Sequence, residues 1–193
     1  MKAICVYCGS SAGSLVSYAD GARRLAAQLA GDGLRLVYGG GNVGLMGILA
    51  DEVMRLGGHV TGVIPQALMD KEVGHSGLSQ LHIVANMHQR KAMMAELSDG
   101  FIAMPGGIGT LEELFEMFTW SQLGFHEKPL GLLNINGFYD GLMEFLEHTV
   151  SQGFLRPAHL DILFKESDPA ILLQKFQGFT PVHVKKWLET QDL

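Results

Sequence analysis

Two stretches carry reactive side chains at fixed spacing. In Pro105-Gly106-Gly107-Ile108-Gly109-Thr110-Leu111-Glu112-Glu113, three glycines separate a proline from one hydroxyl and two carboxylates. Glycines at the start of a helix leave its first N–H groups open, and such an end binds anions. Thr110 adds a hydroxyl donor there, while Glu112 and Glu113 fall in the first turns of the helix. First-turn acids also complement the helix dipole. That accounts for one carboxylate but leaves the triple glycine unexplained.

The second stretch is Met87-His88-Gln89-Arg90-Lys91. At helical spacing Met87, Arg90, Met94 and Leu97 form one stripe, so Arg90 interrupts an apolar face. A buried guanidinium is costly without a partner and is expected to meet a carboxylate or phosphate. The next strand delivers Gly106 to Glu113 to the same sheet edge. Lys91 lies about 100° further around the helix, where solvation is an ordinary outcome.

Two more turns carry glycines or hydroxyls. Cys8-Gly9-Ser10-Ser11 leads to a helix that Ser10, Ser11 or Ser14 is expected to cap, although these hydroxyls also suit a phosphate. Gly39-Gly40-Gly41-Asn42-Val43-Gly44 matches G-x-G-x-x-G. A dinucleotide site also expects an acid about twenty positions on. Val63-Ile64-Pro65 stands there instead, which argues against NAD and leaves open a close backbone approach to some phosphate or ring. No Gly-Lys dipeptide occurs, so a Walker A loop is excluded. The histidines show no H-E-x-x-H or comparable spacing, and no metal is assigned. Cys5 and Cys8 are spaced C-x-x-C, but Cys5 lies within a strand-like run, so the two point to opposite faces and read as reduced packing residues.

The elements that must position these groups alternate. Strand-like runs span Lys2–Cys8, Leu34–Tyr38, His59–Ile64, Leu81–Val84, Phe101–Met104, Leu130–Ile135 and Ile162–Phe164. Helical patterns span Leu15–Ala30, Leu45–Leu56, His88–Leu97, Leu111–Leu123, Tyr139–Gln152 and Pro169–Phe176. Several strands are apolar on both faces, as a helix-covered parallel sheet requires. The expected fold is α/β, a Rossmann-like doubly wound sheet, mostly parallel, with helices on both faces and ligands beyond the carboxyl ends of the strands. One domain over residues 1–180 is expected, then a polar helical tail over 181–193. The long connection Pro65–Ser79 is a candidate lid or site edge. Within the helix over Leu111–Leu123, Leu111, Leu114, Phe115 and Phe118 share one face, and Glu113, Met117 and Trp120 nearly the opposite one. Two apolar sides suggest a partner subunit.

Composition narrows the function classes. The 193 residues are 47% apolar and carry a net charge of −6, which excludes disorder and offers no global attraction to nucleic acid or anionic lipid. No run approaches ~18 uninterrupted apolar residues, and the start lacks a signal-peptide core. A soluble cytoplasmic protein is expected.

Together, Met87 to Lys91 and Pro105 to Glu113 resemble the signature of the Lonely Guy family of cytokinin-activating nucleotide phosphoribohydrolases. Gly39-Gly40-Gly41 followed by Gly44-Leu45-Met46-Gly47 is similar to that family as well. The likeness runs from Lys2 to Phe179. It implies a Rossmann-like homodimer that hydrolyses the N-glycosidic bond of adenosine monophosphate or its N6-prenylated cytokinin analogues to free base and ribose 5-phosphate. No metal or redox cofactor is implied. By motif position, Arg90 and Glu113 correspond to the catalytic pair, and Lys91 and Gly107, Ile108, Gly109, Thr110, Leu111, Glu112 and Glu113 to nucleotide contacts. Glu72 and Thr119 correspond in looser surroundings.

This chemistry suits the residues. Cleavage builds oxocarbenium-like charge on the sugar, which the Glu113 carboxylate would stabilise while activating water. The 5′-phosphate would sit on the amides of Gly106 to Thr110. Arg90 would hold Glu113, the ribose hydroxyls or the phosphate, and Glu112 would act behind Glu113 or on the base side. The alternative is a non-catalytic carrier of a nucleotide or of the molybdenum cofactor, which shares fold and glycine turns. Pyridoxal-dependent lysine decarboxylation is disfavoured, because only Lys91 adjoins a motif.

Overall fold

Strands that are apolar on both faces need cover on both faces, and the chain supplies it. The computed structural model describes residues 1–69 and 74–181. Over these residues the strands are β1 (Ala3–Tyr7), β2 (Arg35–Tyr38), β3 (Val60–Pro65), β4 (Gln80–Val84), β5 (Phe101–Ala103), β6 (Leu130–Leu133) and β7 (Leu163–Glu166). The helices are α1 (Val16–Gly31), α2 (Gly44–Arg55), α3 (Gln66–Met69), α4 (Met87–Glu96), α5 (Ile108–Gln122), α6 (Asp140–Ser151), α7 (Pro157–Leu160) and α8 (Pro169–Gln177). The strand order is β4-β3-β2-β1-β5-β6-β7, with every pairing parallel. The doubly wound fold is as expected, and its sheet is wholly parallel.

Alternation along β1 divides the core. Ile4, Val6 and Cys8 join the cluster built with α1, α2 and α8, whereas Ala3, Cys5 and Tyr7 join that built with α4, α5 and α6. The cysteines are therefore on opposite faces, free and buried, and burial raises both thiols above their ordinary range. The winding direction reverses between β1 and β5, and α4 crosses the sheet face to connect β4 to β5. A crevice therefore opens over the carboxyl ends of β1 and β5.

Several local expectations are corrected. Helix α1 begins after Leu15, and among the described residues no side chain caps it. Ser14 sits one residue too early to cap, and the Ser11 hydroxyl instead accepts from the Gly13 amide at 3.2 Å. Helix α5 begins at Ile108, ahead of Leu111. Its buried arc runs through Thr110, Glu113, Leu114, Met117 and Phe118, with Leu111, Phe115 and Trp120 half-buried on its flanks. The two apolar faces read from the helical wheel are thus the two shoulders of one broad face against this chain's own core. Helices α3 and α7 and a 3₁₀ turn over Ile135–Gly137 are too short to register as a periodic pattern. The turn cuts β6 short, because the Asn134 side chain accepts from the Tyr139 amide and donates to Asp140. Asp70, Lys71 and Glu72 lie outside the described residues, as does the expected tail from residue 182 onward. Among the described residues no helix is long and apolar enough to cross a membrane.

Candidate active site

Three turns meet over the switch point. The β5–α5 turn is fixed from behind: the Tyr139 hydroxyl donates to the Met104 carbonyl at 2.6 Å, and the Gly9 amide donates to the Pro105 carbonyl at 3.1 Å. A Cβ at Gly106 would lie 2.1 Å from Thr110 Oγ1 and 2.9 Å from the Gly9 nitrogen. Only glycine lets these turns touch. At Gly107 and Gly109 a Cβ would meet no atom of the described residues within 4 Å. Packing does not require glycine there, and its effect is to keep the start of α5 bare. Gly107 is the N-cap of α5, and among the described residues no side chain caps it. The first amides of the helix therefore face open space with the partial positive charge of the dipole behind them.

A cavity of about 350 Å³ lies in front of them. Cys8, Gly9 and Ser10 line it from the β1–α1 turn, Met46 from α2, Leu68 from α3 and Met87 and Arg90 from α4. Gly107, Ile108, Gly109, Thr110, Glu112 and Glu113 complete it from α5. One end is therefore amide-rich, the middle holds Arg90 with Glu113, and Met46, Leu68 and Met87 add apolar surface.

Arg90 is buried, 9% exposed, and its Nε and Nη2 donate to the carbonyls of Val63 (3.2 Å) and Gly39 (3.1 Å). Its Nη1 lies 3.9 Å from Glu113 Oε1. The guanidinium does meet a carboxylate, but two backbone carbonyls hold it first. A Cβ at Gly39 would lie 1.8 Å from Arg90 Nη2, so the missing side chain there is the slot the guanidinium occupies. The Gly39–Gly44 turn thus works through carbonyls aimed at protein groups, and Gly44 packs so closely on the Ser10 backbone that a Cβ would come within 2.3 Å of it.

Glu113 is equally buried, and burial raises its carboxyl to about 7 against the opposing pull of Arg90. A carboxyl poised near neutrality at a cavity wall is suited to taking a proton.

The other expected site residues are placed differently. Lys91 is buried rather than solvated. Its ammonium pairs with Glu112 and, at 3.1 Å, with Glu116, behind the cavity wall. Burial pulls this ammonium down, but the two carboxylates outweigh it and leave the group above its ordinary range. Glu112 lines the cavity while holding Lys91, Gly106 stands behind Thr110, Leu111 is half-buried away from Glu113, and Thr119 is exposed further along α5. Glu72 lies outside the described residues. Sequence reasoning missed Cys8, Met46 and Leu68 as cavity walls. Each had a signal, since Cys8 ends a strand, Met46 follows a glycine turn and Leu68 lies in the long connection already suspected as a site edge.

Fold and site together define a Rossmann-like α/β protein with a bare, uncapped helix start and a buried arginine–carboxylate pair at its switch point. Residues 46–176 match the family model described as "Possible lysine decarboxylase". The chain is 48% identical to cytokinin riboside 5′-monophosphate phosphoribohydrolase LOG1 of Arabidopsis thaliana, over 95% of this chain and 86% of that protein. It is also 48% identical to LOG5 of the same plant, over 94% and 80% respectively. The molybdenum cofactor carrier protein of Chlamydomonas reinhardtii has the same fold, with a TM-score of 0.70 at 19% identity over 92% of this chain and 99% of that one. The chain belongs to the Lonely Guy, or LOG, family. The decarboxylase description does not fit the site: pyridoxal chemistry needs a lysine free to form a Schiff base. Among the described residues no lysine lines the cavity, and Lys91 is held protonated by two carboxylates.

Proposed function

We propose that this protein hydrolyses the N-glycosidic bond of purine nucleoside 5′-monophosphates, adenosine monophosphate or its N6-prenylated cytokinin analogues, to free base and ribose 5-phosphate. The observation that carries this reading is the position of Glu113, buried in the cavity wall beside Arg90 and in the second turn after the bare start of α5. The relatives named as phosphoribohydrolases support the same reaction.

In this reading the 5′-phosphate rests on the amides of Gly107 to Thr110 and fixes the ribose. The charge of Glu113 stabilises the oxocarbenium-like sugar as the C1′–N bond breaks, and Glu113 takes a proton from the water whose oxygen bonds to C1′; the base leaves with one proton gained, which balances the one the water gives up. Arg90, held by the Val63 and Gly39 carbonyls, turns Nη1 toward Glu113 and favours the ionised carboxylate. Met46, Leu68 and Met87 offer the apolar surface that a flat base requires. We also propose a homodimer. Phe125, Phe145 and Phe154, which are 72%, 60% and 90% exposed, are consistent with a covered face, and light scattering at micromolar concentration is expected to give twice the chain mass.

The direct test incubates the protein with adenosine and N6-isopentenyladenosine 5′-monophosphates and quantifies products by chromatography. Equal amounts of free base and ribose 5-phosphate are expected. Tight nucleotide binding without base release would overturn the hydrolase reading in favour of a carrier.

A further inference from the structure

We propose that His75 and Asp51 form a latch that positions Arg90 through the Gly39–Gly41 turn. The proposal rests on the role given above to Arg90, and neither latch residue lines the cavity. His75 follows the connection from β3, and its ring is buried, with only 8% of the side chain exposed. Both ring nitrogens are engaged: Nε2 lies 2.8 Å from Asp51 Oδ1, and Nδ1 accepts from the Gly77 amide at 3.2 Å. Because Nδ1 accepts, the hydrogen-bond pattern assigns the proton to Nε2, which donates to Asp51. The imidazole therefore ties residues 74–77 to the surface of α2.

Those residues in turn hold the glycine turn. The His75 amide donates to the Gly40 carbonyl at 3.0 Å, and Gly74 forms an antiparallel bridge with Gly41. One residue before Gly40, the Gly39 carbonyl receives Arg90 Nη2. The turn is thus held from one side by the latch and spends its other side on the guanidinium. A glycine run has little stiffness of its own, so the orientation of the Gly39 carbonyl depends on what anchors Gly40 and Gly41. Asp51 is 65% exposed, so removing its carboxylate leaves the core and cavity walls intact.

The test compares Asp51→Ala, Asp51→Asn and His75→Asn in the full chain. One readout is kcat and KM for nucleoside monophosphate hydrolysis. The second, independent of activity, is the solvent exchange rate of the Arg90 Nε–H proton by NMR, assigned by its loss in Arg90→Lys. Asp51→Ala is expected to lower kcat about three- to tenfold, the range of one lost hydrogen bond, with little change in KM and a comparable acceleration of exchange. His75→Asn, too short to reach Asp51, is expected to do the same, and it decides the matter should Asp51→Ala fail to fold. Asp51→Asn retains an acceptor oxygen and is expected to stay within about twofold of the parent. A lowered Tm with unchanged kcat and unchanged Arg90 exchange would reduce the pair to a structural tie and overturn the proposal, as would equal losses in Asp51→Asn and Asp51→Ala. If the parent protein releases no base, the reaction reading fails while the exchange arm still decides the latch.

Discussion

The two glycine-rich turns over the sheet have similar composition and opposite polarity. Gly39 to Gly44 turns its carbonyls inward, with Gly39 receiving Arg90 and Gly40 receiving the His75 amide. Gly106 to Gly109 turns its amides outward at the bare start of α5. Carbonyls gather a cation and amides gather an anion, so the first turn secures a guanidinium, and in the proposed function the second receives the phosphate. Glycine serves a different end in each. At Gly39 it yields space to a protein side chain, and at Gly107 and Gly109 it leaves space that no atom of the described residues fills.

The sharpest way to break the inward turn is to remove what it holds. Arg90→Ala is expected to lower turnover about 10²- to 10³-fold, as for loss of one preorganised donor, and to weaken nucleotide binding, both by steady-state kinetics and calorimetry. Retention of both would make Arg90 structural only. Gly39→Ala fills the slot instead of emptying it. It is expected to cost roughly 1–3 kcal/mol of stability through overpacking and to reduce turnover by displacing the guanidinium, both read from denaturant unfolding and initial rates.

Glu113 links the two turns and makes their balance depend on pH. Its carboxyl stands at about 7 when folded against an ordinary 4.5, so between these values the folded state binds protons more tightly than the unfolded chain. Stability contributed by this group is present below 4.5 and is lost as pH rises through 7. Activity should move the other way, with kcat/KM rising through about pH 7 as Glu113 ionises. Glu113→Gln is accordingly expected to be more stable than the parent at pH 8, by roughly 1–3 kcal/mol, and nearly equal to it at pH 4, by chemical denaturation. The outward turn should give the smallest effect. Gly109→Ala meets no atom of the described residues, so stability should hold or rise by a few tenths of a kcal/mol, while KM rises several-fold if the cavity is where the nucleotide sits.

Much of this was legible in the sequence, for identifiable reasons. Doubly apolar strands declare a covered parallel sheet, and Arg90 on a methionine stripe declares a buried charge in need of partners. The bare start of α5 could be read from three glycines followed by Thr110. What could not be read was pairwise geometry across the fold. Nothing local to Gly39 says that the guanidinium 51 residues on occupies its missing side chain, and the motif match suggested a ligand instead. Lys91 was as compatible with solvent as with burial until Glu112 and Glu116, one turn apart on α5, closed on it. The serine caps failed because a shift of one residue decides which side chain can reach a free amide.

In the proposed reaction the charge of Glu113 serves the transition state rather than the fold or the binding of substrate. The most direct measurement pairs turnover and affinity in Glu113→Gln, with base release followed by chromatography and nucleoside monophosphate binding by calorimetry. Turnover lower by about 10²- to 10⁴-fold, with affinity within several-fold of the parent, is the predicted result. Turnover near that of the parent, or a loss confined to affinity, would contradict it.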